Sequence, residues 1–302
     1  MLQEYIDALI ENLSDKSIPP EIDLVIDGGG FNGGQQIGVL LYLDRLVKQG
    51  RLTIQRISGC SVGAGLAASF LTGRITDVDK YANVLVSGFR KDGSLSCLRD
   101  VVKYAIDWDK FADIKEGRLF VTYTDNTVGK RHTVSSFESS EDCKKKLLSS
   151  CFLPFVIDGN FETDQGYVDG IAPHLFQDKQ RPCLFVSSIM GMKGMYGSIM
   201  CIKGEQNIYP RIIVGLDDIH KFLTSGTDNP TKLCSWLEKW TLVDVIQFRL
   251  RDLIGLVVYI LGYILRMYKK YAPSVVTESA IVKEISRIIG SVFRDILFVY
   301  AY

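Results

Sequence analysis

Three short stretches, in fixed order, carry residue types suited to acyl transfer. They are Asp27-Gly28-Gly29-Gly30-Phe31-Asn32-Gly33, Gly59-Cys60-Ser61-Val62-Gly63 and Asp169-Gly170. A serine hydroxyl is a weak nucleophile at its free pKa and needs a base beside it. The tetrahedral intermediate formed at a carbonyl needs fixed donors aimed at the oxygen where charge develops. A serine, a carboxylate and a run of glycine amides would supply those three parts, provided the fold brings them together.

Each stretch has a competing reading. The glycine run follows an apolar segment and precedes a helical one, so free amides would gather at a positive helix end. A dinucleotide site matches Gly28-x-Gly30-x-x-Gly33 but expects an acid ending the second strand, where Gln55-Arg56-Ile57-Ser58 has none. A P-loop requires Gly-Lys-Ser/Thr, which is absent. An oxyanion cradle and a plain tight turn remain.

Gly59-x-Ser61-x-Gly63 fits a nucleophile elbow, in which small residues allow a sharp strand-to-helix turn. Its context supports that reading, with a strand pattern before it and an apolar helix after it. Cys60 reads as a small apolar filler. Asp169-Gly170 taken alone reads as an Asx turn. A Ser-His-Asp triad would have to draw on His132, His174 or His220. The order is wrong for it, because the elbow follows only the second strand and no histidine sits on a recognisable late loop.

The elements that must position these residues are legible in outline. Residues 1–16 read as an amphipathic helix stopped by Pro19-Pro20, and Ile22–Ile26 as a buried strand. A helix over 34–48 closed by Gly50, a strand over Thr53–Ile57 and a small-residue helix through Ala64 and Phe70 follow. That alternation predicts a parallel sheet covered by helices. Helices are expected near 77–87, 95–106 and 141–149. Strands are expected at Leu119–Thr124, Leu184–Ser188 and Ile212–Val214, and Tyr167-Val168 leads into Asp169. Residues 190–196 read as a mobile loop.

Beyond Trp236 and Trp240 lies Leu253–Leu265, uncharged and bounded by Arg249, Arg251 and Asp252 before it and Arg266, Lys269 and Lys270 after it. The run is too short for a spanning helix; a buried helix and a membrane-contacting one both fit. Ile281 to Leu297 carries an apolar stripe at helical spacing.

The chain of 302 residues has 35 basic and 35 acidic side chains, so no charge excess favours nucleic acid. A hydrophobic share of 47% fits a lipid relationship. Seven cysteines without CxxC spacing indicate neither a disulfide framework nor a zinc site. The acidic start lacks signal-peptide character. An intracellular, cytoplasmic protein associating peripherally with membranes is the expectation. No cofactor or metal is called for.

Taken together and in order, the three stretches resemble the patatin-like phospholipase family: a glycine-rich oxyanion loop, a GxSxG elbow after the next strand, and a downstream Asp-Gly. Ser149-Ser150-Cys151-Phe152-Leu153-Pro154 is similar to the small-residue-then-proline segment before the family's aspartate. The resemblance spans about residues 22–215. It implies a three-layer α/β/α fold with a mostly parallel central sheet. The expected division is an N-terminal helix over 1–20, a catalytic domain over 21–228 and a C-terminal helical, membrane-associating region over 229–302.

The resemblance further implies that Ser61 is the nucleophile and Asp169 the base. Gly28, Gly29, Gly30 and Gly33 would form the oxyanion loop, Gly59 and Gly63 the elbow, and Gly170 the third motif. Substrates would be membrane phospholipids or acylglycerols. A non-catalytic lipid binder and an esterase or thioesterase for soluble substrates are the alternatives. Two positions depart from the family pattern. Asn32 stands where Arg or Lys is usual, and Ile171 follows Gly170, where a β-branched residue makes positive φ costly.

Overall fold

The computed structural model describes residues 2–11, 13, 14, 18–178, 180–189, 199–225, 229–271 and 284. The expected loop at 190–196 and the apolar residues of the stripe over 281–297 lie outside the described residues.

The strand β1 (Glu21–Ile26) is buried from Ile22 onward, as a central strand covered on both faces must be. It pairs in parallel with β2 (Thr53–Cys60) on one side and β6 (Cys183–Val186) on the other. β2 pairs in parallel with β3 (Leu119–Asp125). The order is β4-β3-β2-β1-β6-β7, with β4 (Lys130–Val134) and β7 (Cys234–Trp236) antiparallel at the edges. β5 (Tyr167–Asp169) also lies antiparallel on β3, making seven strands. The sheet is therefore mixed, with a parallel centre.

Helices cover both faces. α1 (Leu2–Glu11) is shorter than the expected 1–16. α2 (Gly33–Lys48) follows β1, and Gly50 at φ 71° closes it. α3 (Val62–Leu71) follows β2. α4 (Val78–Asp92), α5 (Leu98–Tyr104) and the single-turn α6 (Trp108–Phe111) lead to β3. α7 (Ser140–Ser150) precedes β5, and α8 (Tyr209–Thr224) follows β6.

The expected strand at Ile212–Val214 is instead part of α8. Its β-branched run favoured extension, but Ile212, Leu216 and Ile219 are fully buried at helical spacing while Ile213 and Val214 are exposed. The partner is α2. A Cβ on Gly38 would lie 2.1 Å from Ile212 O, and one on Gly215 would lie 1.9 Å from Gln35 O. Two glycines let the helix backbones touch, and that packing overrides local β propensity.

The C-terminal part adds α9 (Leu242–Arg249) and α10 (Arg251–Tyr271). β7 lies within the region expected to be helical, so the sheet extends past residue 229. Neither alternative for 253–265 describes it fully, since one face of α10 is docked and the other is bare. Tyr259 packs over Gly129, Gly262 sits against Asn126, and Arg266 donates to Glu162 at 2.6 Å. Leu253, Leu256, Val257, Leu261 and Ile264 on the opposite face are about half exposed. No helix among the described residues is long and apolar enough to cross a membrane.

Candidate active site

The parallel strand β2 delivers Ser61 at its end, and α3 begins with the next residue. Ser61 has φ 53° and ψ −137°, a conformation that costs an L-residue on the order of 1–3 kcal/mol and persists only where the surroundings impose it. The glycines are what permit it. A Cβ on Gly59 would lie 2.5 Å from Gly63 O, and one on Gly63 would lie 2.4 Å from Asp27 O. The elbow thus sits backbone-to-backbone on the end of β1, and the glycine loop passes the serine side chain. A Cβ on Gly28 would stand 3.2 Å from Ser61 Cβ.

Asp169 reaches the same place from the other end of a strand edge. Cys60 pairs with Thr122 of β3, and Asp169 pairs with the next residue, Tyr123. β2 ends where antiparallel β5 ends, so residues 61 and 169 meet head to head. The Asp169 backbone is held at 3.0 Å by Phe152 O. Its Oδ1 accepts the Ile171 amide at 2.7 Å, which is the Asx turn expected of an Asp-Gly pair. Ile171 takes φ 64°, so the β-branched departure is accommodated at a backbone cost.

The second carboxylate oxygen, Oδ2, is buried without a well-formed hydrogen bond among the described residues. Burial pushes the Asp169 carboxyl up to about 6; the Ser61 hydroxyl and the Ile171 amide pull against that rise, and the Asp27 charge adds to it. The Ser61 hydroxyl thus lies near enough to lower the carboxyl's pKa without a well-formed hydrogen bond to Oδ2.

Ser150 is the residue that sequence reasoning did not single out. Its hydroxyl accepts the Ser61 amide at 2.9 Å and donates to Thr122 O at 2.7 Å. It therefore ties the elbow to β3. Its signal was present in the small-residue segment at 149–154, but nothing local revealed which serine faced the elbow.

The amides of the glycine loop, expected to form an oxyanion cradle, are not equivalent. The Gly28 amide donates to Asp27 Oδ1 at 2.8 Å and is already committed. The amides of Gly29 and Gly30 have no acceptor among the described residues. Gly30 needs glycine, having φ 52° with Ile199 close by. Gly33 packs on Val62, where a Cβ would lie 2.7 Å from its methyl. Gly170 approaches Thr122 O so closely that a Cβ would stand 2.2 Å away. Asn32 does not stand without a cation, because Arg211 of α8 donates to its Oδ1 at 2.5 Å while Glu205 holds the same guanidinium.

Cys60 is fully buried, and burial raises its thiol well above the ordinary value, consistent with filling space. The histidines are engaged elsewhere. His174 stacks on Phe120, His132 stacks on Tyr123, and His220 Nδ1 lies 3.1 Å from the Tyr42 hydroxyl. Among the described residues, no group of three His, Cys, Asp or Glu side chains could hold a metal ion.

An apolar cavity opens beside the glycine loop, with about 670 Å³ of empty space, part of it open to solvent. It starts at Gly30, Gly33 and Val62 and is walled by Ile37, Leu66, Leu85 and Val102. Its almost wholly apolar lining suits an apolar ligand.

The patatin-like phospholipase family model matches residues 24–172, which spans the glycine loop, the elbow and the aspartate. An omega-hydroxyceramide transacylase of Homo sapiens is 29% identical over 198 residues, covering 61% of this chain and 34% of that protein. One of Mus musculus is 28% identical over 198 residues, covering 61% and 31%. The chain spans about a third of the length of these curated relatives. With a matching family model and an α/β sheet that carries its motifs at the ends of its strands, the chain belongs to the patatin-like phospholipase family.

Proposed function

We propose that this chain is a lipid acyl hydrolase or transacylase that works through Ser61 and Asp169. The observation that carries this is a strained serine placed head to head with a buried aspartate whose carboxyl is pushed up to about 6. At neutral pH such a carboxylate is mostly ionised yet far more basic than an ordinary one.

Ser61 Oγ attacks the ester carbonyl while Asp169 Oδ2 takes its proton. The carbonyl oxygen becomes an oxyanion facing the Gly29 and Gly30 amides at the start of α2. Collapse expels the alcohol, which takes the proton from Asp169, and leaves acyl-Ser61. Water, or an acceptor alcohol, then attacks with Asp169 again taking the proton and returning it to Ser61. Transfer to an alcohol is the version favoured by the relatives named as transacylases.

The cavity walled by Ile37, Leu66 and Val102 would take the acyl chain. A phospholipid or acylglycerol at a membrane surface is the substrate class we favour. The exposed apolar face of α9 and α10, with Leu242, Ile246, Leu253 and Val257, would rest on that surface. Residues 21–228, completed by the edge strand β7, would then form the catalytic part, and the exposed face of the helices that follow the membrane-associating part, with the protein held peripherally.

The test is mass spectrometry of mixed-chain phospholipid vesicles incubated with the protein, with and without an acceptor alcohol and with Ser61→Ala in parallel. Fatty acid or acyl ester formed only by the wild type supports the reading. No product from vesicles or from a soluble ester would leave a non-catalytic lipid binder.

A further inference from the structure

We propose that Arg251 is a positioning residue for the oxyanion loop, acting through Asp27; this rests on the Ser61–Asp169 reading above. Asp27 closes β1 and its side chain is fully buried. Arg251 begins α10, and its Nη1 donates to both Asp27 carboxylate oxygens, at 2.6 and 2.7 Å. The same carboxylate accepts the Gly28 amide at 2.8 Å and the Ser187 hydroxyl at 2.5 Å. On the other side, Gln36 Nε2 donates to Asp27 O at 2.9 Å and to Gly28 O at 3.3 Å.

The Asp27-Gly28 segment is thus gripped from both sides. That grip sets the direction of the peptides that follow, which carry the Gly29 and Gly30 amides. Stabilising an oxyanion depends on donors held in place before charge develops, and the Asp27 rotamer is what holds the first peptide of this loop. Arg251 fixes that rotamer by spanning both oxygens, while the Phe248 ring lies 5.1 Å below its guanidinium.

A stability role alone explains Arg251 poorly. It is 5% exposed, and its Nη2 has no acceptor among the described residues. Buried ion pairs contribute little net stability unless every donor is satisfied. The arrangement spends a buried donor to secure one geometry at Asp27. Nothing in the local sequence distinguishes this arginine from Arg249, two residues away and exposed.

The experiment measures kcat and KM on a soluble ester, 4-nitrophenyl butyrate, together with the rate at which a fluorophosphonate labels Ser61. The variants are Arg251→Lys, which keeps the charge, and the paired Asp27→Asn/Arg251→Met, which leaves no buried charge unpaired. Arg249→Met is the control. For variants with a retained thermal transition, kcat and labelling should fall together by about tenfold to a hundredfold with KM within about twofold. Arg251→Lys should lie between wild type and the paired variant, and Arg249→Met should match wild type. Folded variants that label and turn over at wild-type rates overturn the proposal. A wild-type chain unlabelled at Ser61 would instead strike the Ser61–Asp169 reading, and the proposal with it.

Discussion

Cys60 and Asp169 occupy consecutive places along one edge of β3, opposite Thr122 and Tyr123. Two strands running in opposite directions therefore end against each other. The residue directly after Cys60 is Ser61, and the last residue of the other strand is Asp169 itself. The candidate dyad is a consequence of strand register, and a slip of β5 by one residue would turn Asp169 to the other face.

Asp169→Asn should abolish turnover and yet stabilise the protein at neutral pH. The folded carboxyl is raised to about 6 from an ordinary 3.8. As pH rises between those values the unfolded chain releases its proton first, so stability falls, and the penalty is complete above about 6. It amounts to something on the order of 3 kcal/mol. Denaturation at pH 7.5 and pH 4 checks this: the variant should gain at pH 7.5 and gain little at pH 4. Equal stability at both would remove the argument for desolvation at this carboxylate.

In the proposed mechanism the same rise sets the acid limb of the pH–rate profile. On a soluble ester, kcat/KM should drop about tenfold per pH unit below about 6, because the base must be ionised in the free enzyme. A pH–rate profile flat down to pH 4.5 would mean that a different group takes the proton.

Ser150→Ala removes one hydroxyl from two buried backbone groups, Ser61 N and Thr122 O. Leaving both unsatisfied should cost about 2–4 kcal/mol, seen as a lower thermal midpoint. Loosening the elbow should also lower kcat by about tenfold. A variant that loses stability but keeps full kcat would make Ser150 a fold residue alone.

Leu85→Trp fills the cavity from α4. Palmitoyl ester turnover should fall about tenfold relative to butyryl ester, through lost acyl-chain contacts. Unchanged chain-length preference would place the acyl chain elsewhere.

Leu253, Val257 and Leu261 follow one stripe of α10 and are about half exposed. Each apolar side chain of this kind contributes about 1.5–3 kcal/mol when buried. Serine at all three positions should weaken co-sedimentation with anionic phospholipid vesicles more than tenfold, while butyryl ester turnover stays at the wild-type rate. Undiminished co-sedimentation would show that this face does not meet lipid.

Much of the centre was readable in order along the chain. The apolar run ending at Asp27, the helix closed by Gly50 and the small-residue elbow are local patterns, set by periodicity and by glycine's freedom, and they lie where the sequence placed them. Local patterns misled at Ile212–Val214, a β-branched run that is helical because the backbone of α8 meets that of α2 across Gly38 and Gly215, burying Ile212 and leaving Ile213 and Val214 exposed. They were silent at β4, whose Lys-Arg-His-Thr-Val carries no apolar alternation, as suits a charged edge strand.

What the sequence determined by itself was the inventory: a serine flanked by small residues, an aspartate before a glycine, and a glycine run after a strand. Only the tertiary structure decided which oxygen of Asp169 forms its own turn and which is left buried without a well-formed hydrogen bond among the described residues. It also decided that the Gly28 amide is consumed by Asp27, that Ser150 rather than Ser149 ties the elbow, and that Arg251 is buried against a residue 224 positions earlier. The physical reason is the same in each case. Residue type and spacing set local conformation, but hydrogen-bond partners and burial depend on strand register and helix docking, which bring distant segments into contact.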